Sequence, residues 1–321
     1  MATLRYIQAM SKALRDLMTE DEDVMVIGED VRASLRGVTK GLHGEFGDDR
    51  IVDMPLSEQA FTGLAMGAAL HGMRPVVEFQ VSSLVFLTMD QMINQAHKFH
   101  LMTGGQASVP VTYFMPGSGS RMGLAGQHSD HPYAYFVHAG IKTVMPADAE
   151  AAYGLLRAAI LDPDPVAVFA PAALLGVRGE VPDEPFEIPL GKGVIKRSGA
   201  DVTVVAVGHL VPEALKAAEE LASEVSVEVM DPRTLYPFDW EMLNESLSRT
   251  KRLVVFDDSN RSCGLAAEII ASAMEANSLV ARPRRVSRGD ITIPYAIELE
   301  VALVPNRDAL KSAILHTMKE S

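Results

Sequence analysis

The chain has 321 residues, which is enough for about two domains of ordinary size. Lysine and arginine total 29 against 42 aspartate and glutamate, and the resulting formal charge of −13 disfavours nucleic acid binding. The single cysteine, Cys263, excludes a disulfide framework and a cysteine-ligated metal and is typical of a reducing compartment. We expect a cytoplasmic protein because the sequence shows no secretory signal and no apolar run of about 20 residues.

Short apolar runs alternate with helical patterns in the first half of the chain. This order is typical of α/β layers around a mainly parallel sheet. We predict strands at 24–27, 75–79, 109–114, 142–145 and 166–169. We predict helices between them at 59–71, 88–100 and 147–161. One doubly wound domain is therefore expected over residues 1–175.

The segment 176–190 contains three prolines and two glycines, a composition that disfavours regular structure and suits a linker. A second βαβ pattern follows it. Strands are predicted at 202–207, 225–230 and 252–257, and helices at 211–222 and 266–274. We therefore expect a smaller α/β domain over residues 191–321.

The stretch MPLSEQAFTGLAMG at 54–67 places a carboxylate, Glu58, at the start of a helix. Gly63 and Gly67 lie on one face of that helix, where a second backbone can approach closely. Residue types alone leave a simpler explanation open. In this explanation, the negative charge of Glu58 only interacts favourably with the helix dipole, and the glycines pack inside the domain.

The stretch PGSGSRMGLAGQHSDH at 116–131 is a glycine-rich loop that can present His128 in a cleft. Histidine exchanges protons near neutral pH, so His128 is a candidate catalytic residue. The loop is not a phosphate-binding Walker loop, and the chain lacks the GxGxxG pattern of nicotinamide-binding domains. His128 and His131 are close enough for a metal pair, but only Asp130 accompanies them, which disfavours a metal in this loop.

Two further stretches leave alternatives open. AAILDPDP at 158–165 places Asp162 and Asp164 at a helix C-terminus, where carboxylates are unfavourable unless a positive charge compensates them. A hard cation would do so, and a solvated turn is the alternative. DPRTLYPFD at 231–239 suits either a partner surface or a well-satisfied loop.

Several separated motifs occur in one order along nearly the whole chain. They are GED at 28–30, PLSEQAFTGLAMGAAL at 55–70, RPVVEFQ at 74–80, DQMIN at 90–94, MTGGQ at 102–106, GQHSDHPYAYF at 126–136, DPRTLYPFD at 231–239 and TIPYA at 292–296. Together they resemble the β subunit of the decarboxylating component of 2-oxo acid dehydrogenase complexes. This family includes the pyruvate, branched-chain and acetoin enzymes.

The resemblance implies a transketolase-like architecture, with a pyrimidine-binding domain followed by a smaller C-terminal domain, in an α2β2 heterotetramer. It also implies that thiamine diphosphate lies between two chains. The α subunit holds the diphosphate through magnesium, and the β subunit holds the aminopyrimidine. The magnesium motif of such enzymes, Gly-Asp-Gly followed by paired asparagines, is absent from this sequence, which agrees with that division.

The resemblance also implies roles for individual residues. Glu58 matches the glutamate that hydrogen-bonds the pyrimidine ring and promotes its imino tautomer, and His128 matches the histidine that supports acyl transfer to the lipoyl group. Gly63 and Gly67 match a helix contact between the α and β subunits. The other matched cofactor-binding positions are Glu29, Leu56, Gln80 and Leu84. A structural cation site, commonly potassium in this family, is implied at Val111, Ala159, Ile160, Asp162 and Asp164.

The sequence departs from the family pattern in two places. Leu84 stands where many relatives have Phe or Tyr against the aminopyrimidine, and Phe86 is the alternative stacking residue. Asp130 and His131 replace the usual Gln and a small residue.

We expect decarboxylation of a small 2-oxo acid, pyruvate or branched-chain, followed by acyl transfer to the lipoyl domain of an acyltransferase core. The first alternative is a subunit of a split transketolase or of an enzyme like deoxyxylulose-phosphate synthase. The second is a non-catalytic assembly subunit.

Overall fold

The first part of the chain alternates strands and helices. The computed structural model describes residues 1–119 and 123–320. The strands of this part are β1 Ala2–Arg5, β2 Val24–Gly28, β3 Ile51–Asp53, β4 Arg74–Glu78, β5 Thr112–Ser118, β6 Lys142–Val144, β7 Val166–Pro171 and β8 Arg178–Val181. The α-helices are α1 Tyr6–Glu20, α2 Leu42–Phe46, α3 Glu58–Leu70, α4 Lys98–Met102, α5 Gly126–Ser129, α6 Tyr133–Ala139 and α7 Ala149–Leu161.

Shorter helical segments of other types connect these elements. Ser82–Thr88 and Ala172–Leu174 are 3-10 helices, and Asp90–His97 is a π-helix. The helix predicted at 88–100 is therefore π-helical for most of its length and becomes α-helical only in α4.

The second part of the chain repeats the alternation on a smaller scale. Its strands are β9 Val194–Arg197, β10 Val202–Ala206, β11 Val227–Asp231, β12 Thr234–Tyr236, β13 Leu253–Asn260 and β14 Arg284–Arg288. Its helices are α8 Leu210–Glu220, α9 Trp240–Thr250, α10 Leu265–Ala276, α11 Ile297–Leu303 and α12 Arg307–Lys319.

Two mainly parallel sheets organise the molecule. The larger sheet has the order β12-β6-β7-β5-β4-β2-β3, and the smaller has the order β14-β13-β10-β11-β9. In the described parts of these two sheets, only β12 and β9, each at a sheet edge, pair antiparallel to their neighbours. The predicted two-domain α/β class is confirmed. In such sheets ligands bind at the carboxyl ends of the strands, which directs attention to the loops after β2 and β4.

The two parts of the chain are joined by more than a linker. β12 belongs to the second part by sequence but pairs with β6 in the larger sheet, so the DPRTLYPFD stretch contributes a strand. One buried apolar cluster contains Met145 and Phe169 from the first part together with Val205 and Leu265 from the second. Burying side chains of this size contributes about 1.5–3 kcal/mol each, so this cluster holds the two parts together.

The segment 176–190 packs against the first part of the chain. β8 lies within it and pairs antiparallel with β1, so the expectation that this segment lacks regular structure is wrong for those four residues. Ile188 packs on α7 at Gly154, where an added Cβ would lie only 2.7 Å from its side chain. Across 1–119 and 123–320, no helix is long and apolar enough to cross a membrane.

Candidate functional site

The loops after β2 and β4 meet at the carboxyl edge of the larger sheet. Gly28 ends β2 directly beside Glu78 at the end of β4. An added Cβ on Gly28 would lie 2.5 Å from the carbonyl oxygen of Glu78, so this close approach requires glycine. Two residues further along, the side-chain nitrogen of Gln80 donates a hydrogen bond of 2.5 Å to the carbonyl oxygen of Glu29. These contacts hold Glu29 and Gln80 next to each other.

Two carboxylates adjoin at this edge. Burial raises the pKa of Glu29 above its ordinary value, and the negative charges of Asp30 and Glu58 raise it further. Glu58 opens α3 and is 8% exposed. The side-chain oxygen of Gln80 is buried without a hydrogen-bond partner in the described part of the chain. This edge therefore presents two carboxylates beside an amide oxygen that lacks a donor.

Leu84 and Phe86 lie in different surroundings. Leu84 is partly buried and packs against the apolar cluster that contains Phe79. Phe86 contacts the ring of Tyr135 edge-on, with ring centroids 5.4 Å apart, and lines a cavity of about 420 Å³ between the two parts of the chain. Leu56 is 75% exposed, so it is available to a cofactor or to another chain.

His128 lies in the short helix α5 and is exposed, whereas His131 is buried at 3% exposure. The loop that carries His128 is fixed to the segment that carries Leu84. The hydroxyl of Ser83 donates to the carbonyl oxygen of Gln127, and the hydroxyl of Ser82 donates to that of Asp130. The imidazole of His128 therefore stands on a loop that is hydrogen-bonded to the 3-10 helix Ser82–Thr88. Residues 120–122 of the glycine-rich stretch lie outside the described residues.

Three residues of the predicted cation site lie at element ends, Val111 directly before β5 and Ala159 and Ile160 in the last turn of α7. The carbonyl oxygen of Val111 accepts a hydrogen bond from the start of β7. That of Ala159 accepts from the hydroxyl of Thr112 at 3.2 Å, and that of Ile160 accepts from Arg74 at 3.2 Å. Each carbonyl oxygen has two lone pairs, so one remains for a hard cation. Each of these oxygens therefore keeps a lone pair that could contact a cation.

The two carboxylates of the predicted cation site already have a cationic partner. The ammonium of Lys142 donates to Asp162 at 2.8 Å and to Asp164 at 2.9 Å. Burial lowers the pKa of Lys142, but these hydrogen bonds outweigh it and raise the pKa above its ordinary value. Lys142 therefore supplies the positive charge that the carboxylates of Asp162 and Asp164 require at this helix C-terminus.

Glu78 is a buried acid at this sheet edge that the sequence interpretation did not single out. It is 1% exposed, and neither carboxylate oxygen has a hydrogen-bond partner in residues 1–119 and 123–320. Burial raises the pKa of Glu78 to about 8, against a smaller opposing effect of Arg36. The sequence feature that could have indicated Glu78 is a carboxylate at the end of a largely apolar strand in RPVVEFQ.

Comparison with known proteins agrees with this architecture. The transketolase pyrimidine-binding domain matches residues 2–177, and the transketolase C-terminal domain matches residues 191–310. The chain is 39% identical to the β subunit of acetoin:2,6-dichlorophenolindophenol oxidoreductase from Bacillus subtilis (strain 168), over 97% of this chain and 96% of that one. The chain belongs to this β-subunit family. It is also 39% identical to mitochondrial pyruvate dehydrogenase E1 component subunit beta-2 from Oryza sativa subsp. japonica, over 95% of this chain and 84% of that one.

Solved structures show the same fold at lower identity. A split-gene transketolase, described as an inactive beta4 tetramer, superposes with a TM-score of 0.81 at 21% identity and covers 99% of both chains. A transketolase from Leishmania mexicana superposes with a TM-score of 0.72 at 14% identity, covering 99% of this chain and 46% of that one. The family resemblance and the transketolase-like fold expected from the sequence are both confirmed.

Proposed function

We propose that this chain is the β subunit of a 2-oxo acid dehydrogenase, acting with an α subunit on pyruvate or a branched-chain 2-oxo acid. The acyl group is passed to a lipoyl domain of the acyltransferase core. The proposal rests on the edge where the carboxylates of Glu29 and Glu58 adjoin and the side-chain oxygen of Gln80 is buried without a donor in the described residues. The relatives named for acetoin and pyruvate oxidation support the reaction class.

The acceptor set suits the aminopyrimidine of thiamine diphosphate, which offers ring and amino nitrogens. Glu58 would hold a proton at a ring nitrogen, and the side-chain oxygen of Gln80 would accept from the amino group. Leu84 would supply an apolar contact. The cofactor, when bound, supplies the electron sink for decarboxylation. The chain's own residues provide orientation, exclusion of water and proton transfer.

His128 is assigned to the transfer step. It is exposed on a loop anchored by Ser82 and Ser83, so a large lipoyl-bearing partner can reach it. A neutral imidazole can accept a proton and an imidazolium can donate one near neutral pH. We therefore propose that His128 exchanges the proton that accompanies acyl transfer.

Two glycines on the surface of α3, Gly63 and Gly67, are consistent with contact to a partner chain. An added Cβ on Gly67 would meet nothing within 4 Å, and one on Gly63 would meet a single atom at 3.9 Å. Packing inside this chain therefore does not explain why these positions are glycine. Glycine on an exposed helix face instead lets a second backbone approach closely. We propose that this face contacts the α subunit, which also holds magnesium, in an α2β2 assembly.

We also propose a linker at 176–190, which the gap between the two matched family regions supports.

We further propose a potassium ion near the end of α7, held by the main-chain oxygens of Val111, Ala159 and Ile160 together with Asp162 and Asp164. The ammonium of Lys142 would share these two carboxylates with the ion.

Reconstitution tests the function. The chain is co-purified with its α partner and assayed with pyruvate, branched-chain 2-oxo acids, acetoin and a sugar phosphate, with lipoyl domain as acceptor. Lipoyl acylation with a 2-oxo acid is expected only for the paired chains. Activity with the sugar phosphate alone would identify a split transketolase, and absence of cofactor binding by the pair would identify a non-catalytic subunit. Either result overturns the proposal.

A further inference from the structure

A buried cluster of two histidines and one aspartate lies where the two parts of the chain meet. His131 follows α5, His209 immediately precedes α8, and Asp258 lies within β13. They are 3%, 7% and 2% exposed, respectively. One potential ligand atom from each residue lies within 4.8 Å of the other two.

The distances in this cluster are too long for good hydrogen bonds. Nδ1 of His131 lies 3.5 Å from Oδ2 of Asp258, and Nε2 of His209 lies 3.7 Å from the same oxygen. Charge-assisted hydrogen bonds are shorter, at about 2.7–2.9 Å. Both oxygens of Asp258 and Nδ1 of His131 have no hydrogen-bond partner in the described residues. Two ligands of a tetrahedral zinc ion, each about 2.0–2.1 Å from the metal, are about 3.4 Å apart, which is closer to the observed spacing.

The ligand atoms lie in acidic surroundings. The carboxyl groups of Asp130 and Asp257 adjoin that of Asp258, and the guanidinium of Arg288 faces this group of acids. Protons on both imidazoles could also compensate the carboxylate of Asp258. They would, however, place two positive rings with centroids 6.0 Å apart in a buried site.

The ring of His131 is held in one orientation. Its Nε2 forms a hydrogen bond of 3.0 Å with the hydroxyl of Ser118. Gly119 packs against the ring so closely that an added Cβ would lie 2.7 Å from Cε1. When Ser118 accepts the Nε2 proton, Nδ1 presents its lone pair toward Asp258. Hydrogen bonds of this kind orient histidines that bind metals.

We propose that His131, His209 and Asp258 bind a divalent transition metal ion. Two imidazole nitrogens and one carboxylate oxygen are a donor set that zinc accepts. The ligands come from both parts of the chain, so the ion fastens one part to the other at the edge of the cavity lined by Phe86.

Competition titration of the full chain tests the site. Metal is removed with dipicolinate, and zinc is then titrated against a chromophoric chelator. One equivalent is expected to bind per chain. Mutation of a residue that only hydrogen-bonds a metal ligand lowers metal affinity by about 10–100-fold. Loss of a ligand itself, in His131→Gln, His209→Gln or Asp258→Asn, should lower zinc affinity at least that much. The exposed His71→Gln is the matched control and should bind like the wild type.

A second measurement avoids variants that fail to fold. Crystals of the wild-type chain grown with zinc are examined by anomalous scattering at the zinc edge, and a peak between the three side chains is expected. A peak found only elsewhere, or no stoichiometric binding by the folded wild type, overturns the proposal. A thermal stability that rises on acidification but does not respond to zinc would show that two protons occupy the cluster instead.

Discussion

The guanidinium of Arg36 lies near enough to Glu78 to oppose the rise in pKa of its carboxyl, yet no hydrogen bond joins the two side chains within the described residues. Burial without a partner raises the pKa of Glu78 from 4.5 to about 8. The protonated carboxyl is therefore favoured in the folded chain. Its contribution to stability is fully present below the unfolded pKa and is lost as the pH rises through the folded pKa.

Glu78→Gln should therefore change how stability depends on pH. Between 4.5 and about 8 the folded chain holds a proton that the unfolded chain has released, so wild-type stability falls by up to about 1.4 kcal/mol per pH unit from this group. Glutamine keeps the size and removes the titration. In urea unfolding across this pH range, the free energy of unfolding of Glu78→Gln should rise relative to that of the wild type as the pH rises. The free energy of unfolding of the exposed variant Glu219→Gln should change with pH in the same way as that of the wild type. Parallel curves for Glu78→Gln as well would show that Glu78 is not perturbed.

Substitution at Gly67 tests the proposed partner surface. Gly67→Leu adds a side chain where this chain leaves open space, so the isolated chain should fold normally. Overpacking of a tight contact costs about 1–3 kcal/mol, so association with the α subunit should weaken by about 5- to 150-fold. Sedimentation of the mixed chains measures this. Gly44→Leu, in α2 and equally open, is the control and should associate normally. Normal association of Gly67→Leu would place the α contact on another face.

Potassium should stabilise the chain through the main-chain oxygens at the end of α7. Binding to the folded state alone adds about 2.7 kcal/mol at a concentration of 100 times Kd. Thermal unfolding at equal ionic strength should therefore occur at a higher temperature in potassium chloride than in choline chloride. Asp162→Ala should abolish the difference. Equal melting temperatures for the wild type in both salts would mean that Lys142 alone compensates Asp162 and Asp164.

His128 should affect one acceptor more than another. His128→Ala removes an exposed imidazole whose loop is held by Ser82 and Ser83, so the fold and the cofactor-binding edge should persist. Loss of a proton-transfer group commonly costs about a hundredfold in rate. Lipoyl acylation should fall by that order, whereas reduction of an artificial acceptor should fall much less. Exposed His71→Ala is the control. An equal loss with both acceptors would remove His128 from acyl transfer.

Much of the fold could be predicted because its signals are local. Buried parallel strands appear in the sequence as short apolar runs. The strand predicted at 202–207 differs from β10 by one residue at its end. The strand predicted at 252–257 begins one residue before β13. The pairing of β12 with β6 could not be predicted, because three residues within a turn-rich stretch carry no periodic pattern. Their position is determined by the shared core between the two parts of the chain.

The site shows the same division. Glu58 could be singled out because it begins a helix with a clear pattern, whereas Glu29 and Gln80 are predicted only through the family resemblance. The cluster of His131, His209 and Asp258 could not, because its members are far apart in sequence and meet only through domain packing. Lys142 was assigned to a strand, and nothing in its neighbours indicated that its ammonium reaches Asp162 and Asp164.

We propose that this chain supplies Glu58 as the proton partner of a thiamine cofactor shared with an α subunit. Deuterium exchange at the thiazolium carbon, measured in the α-paired enzyme with saturating cofactor, tests this role. Glu58→Gln keeps size and hydrogen bonding but cannot ionise, so exchange should slow by about a hundredfold or more. Glu219→Gln, with the same chemical change at an exposed position, should exchange like the wild type. Exchange at the wild-type rate in Glu58→Gln would contradict the assignment of this site.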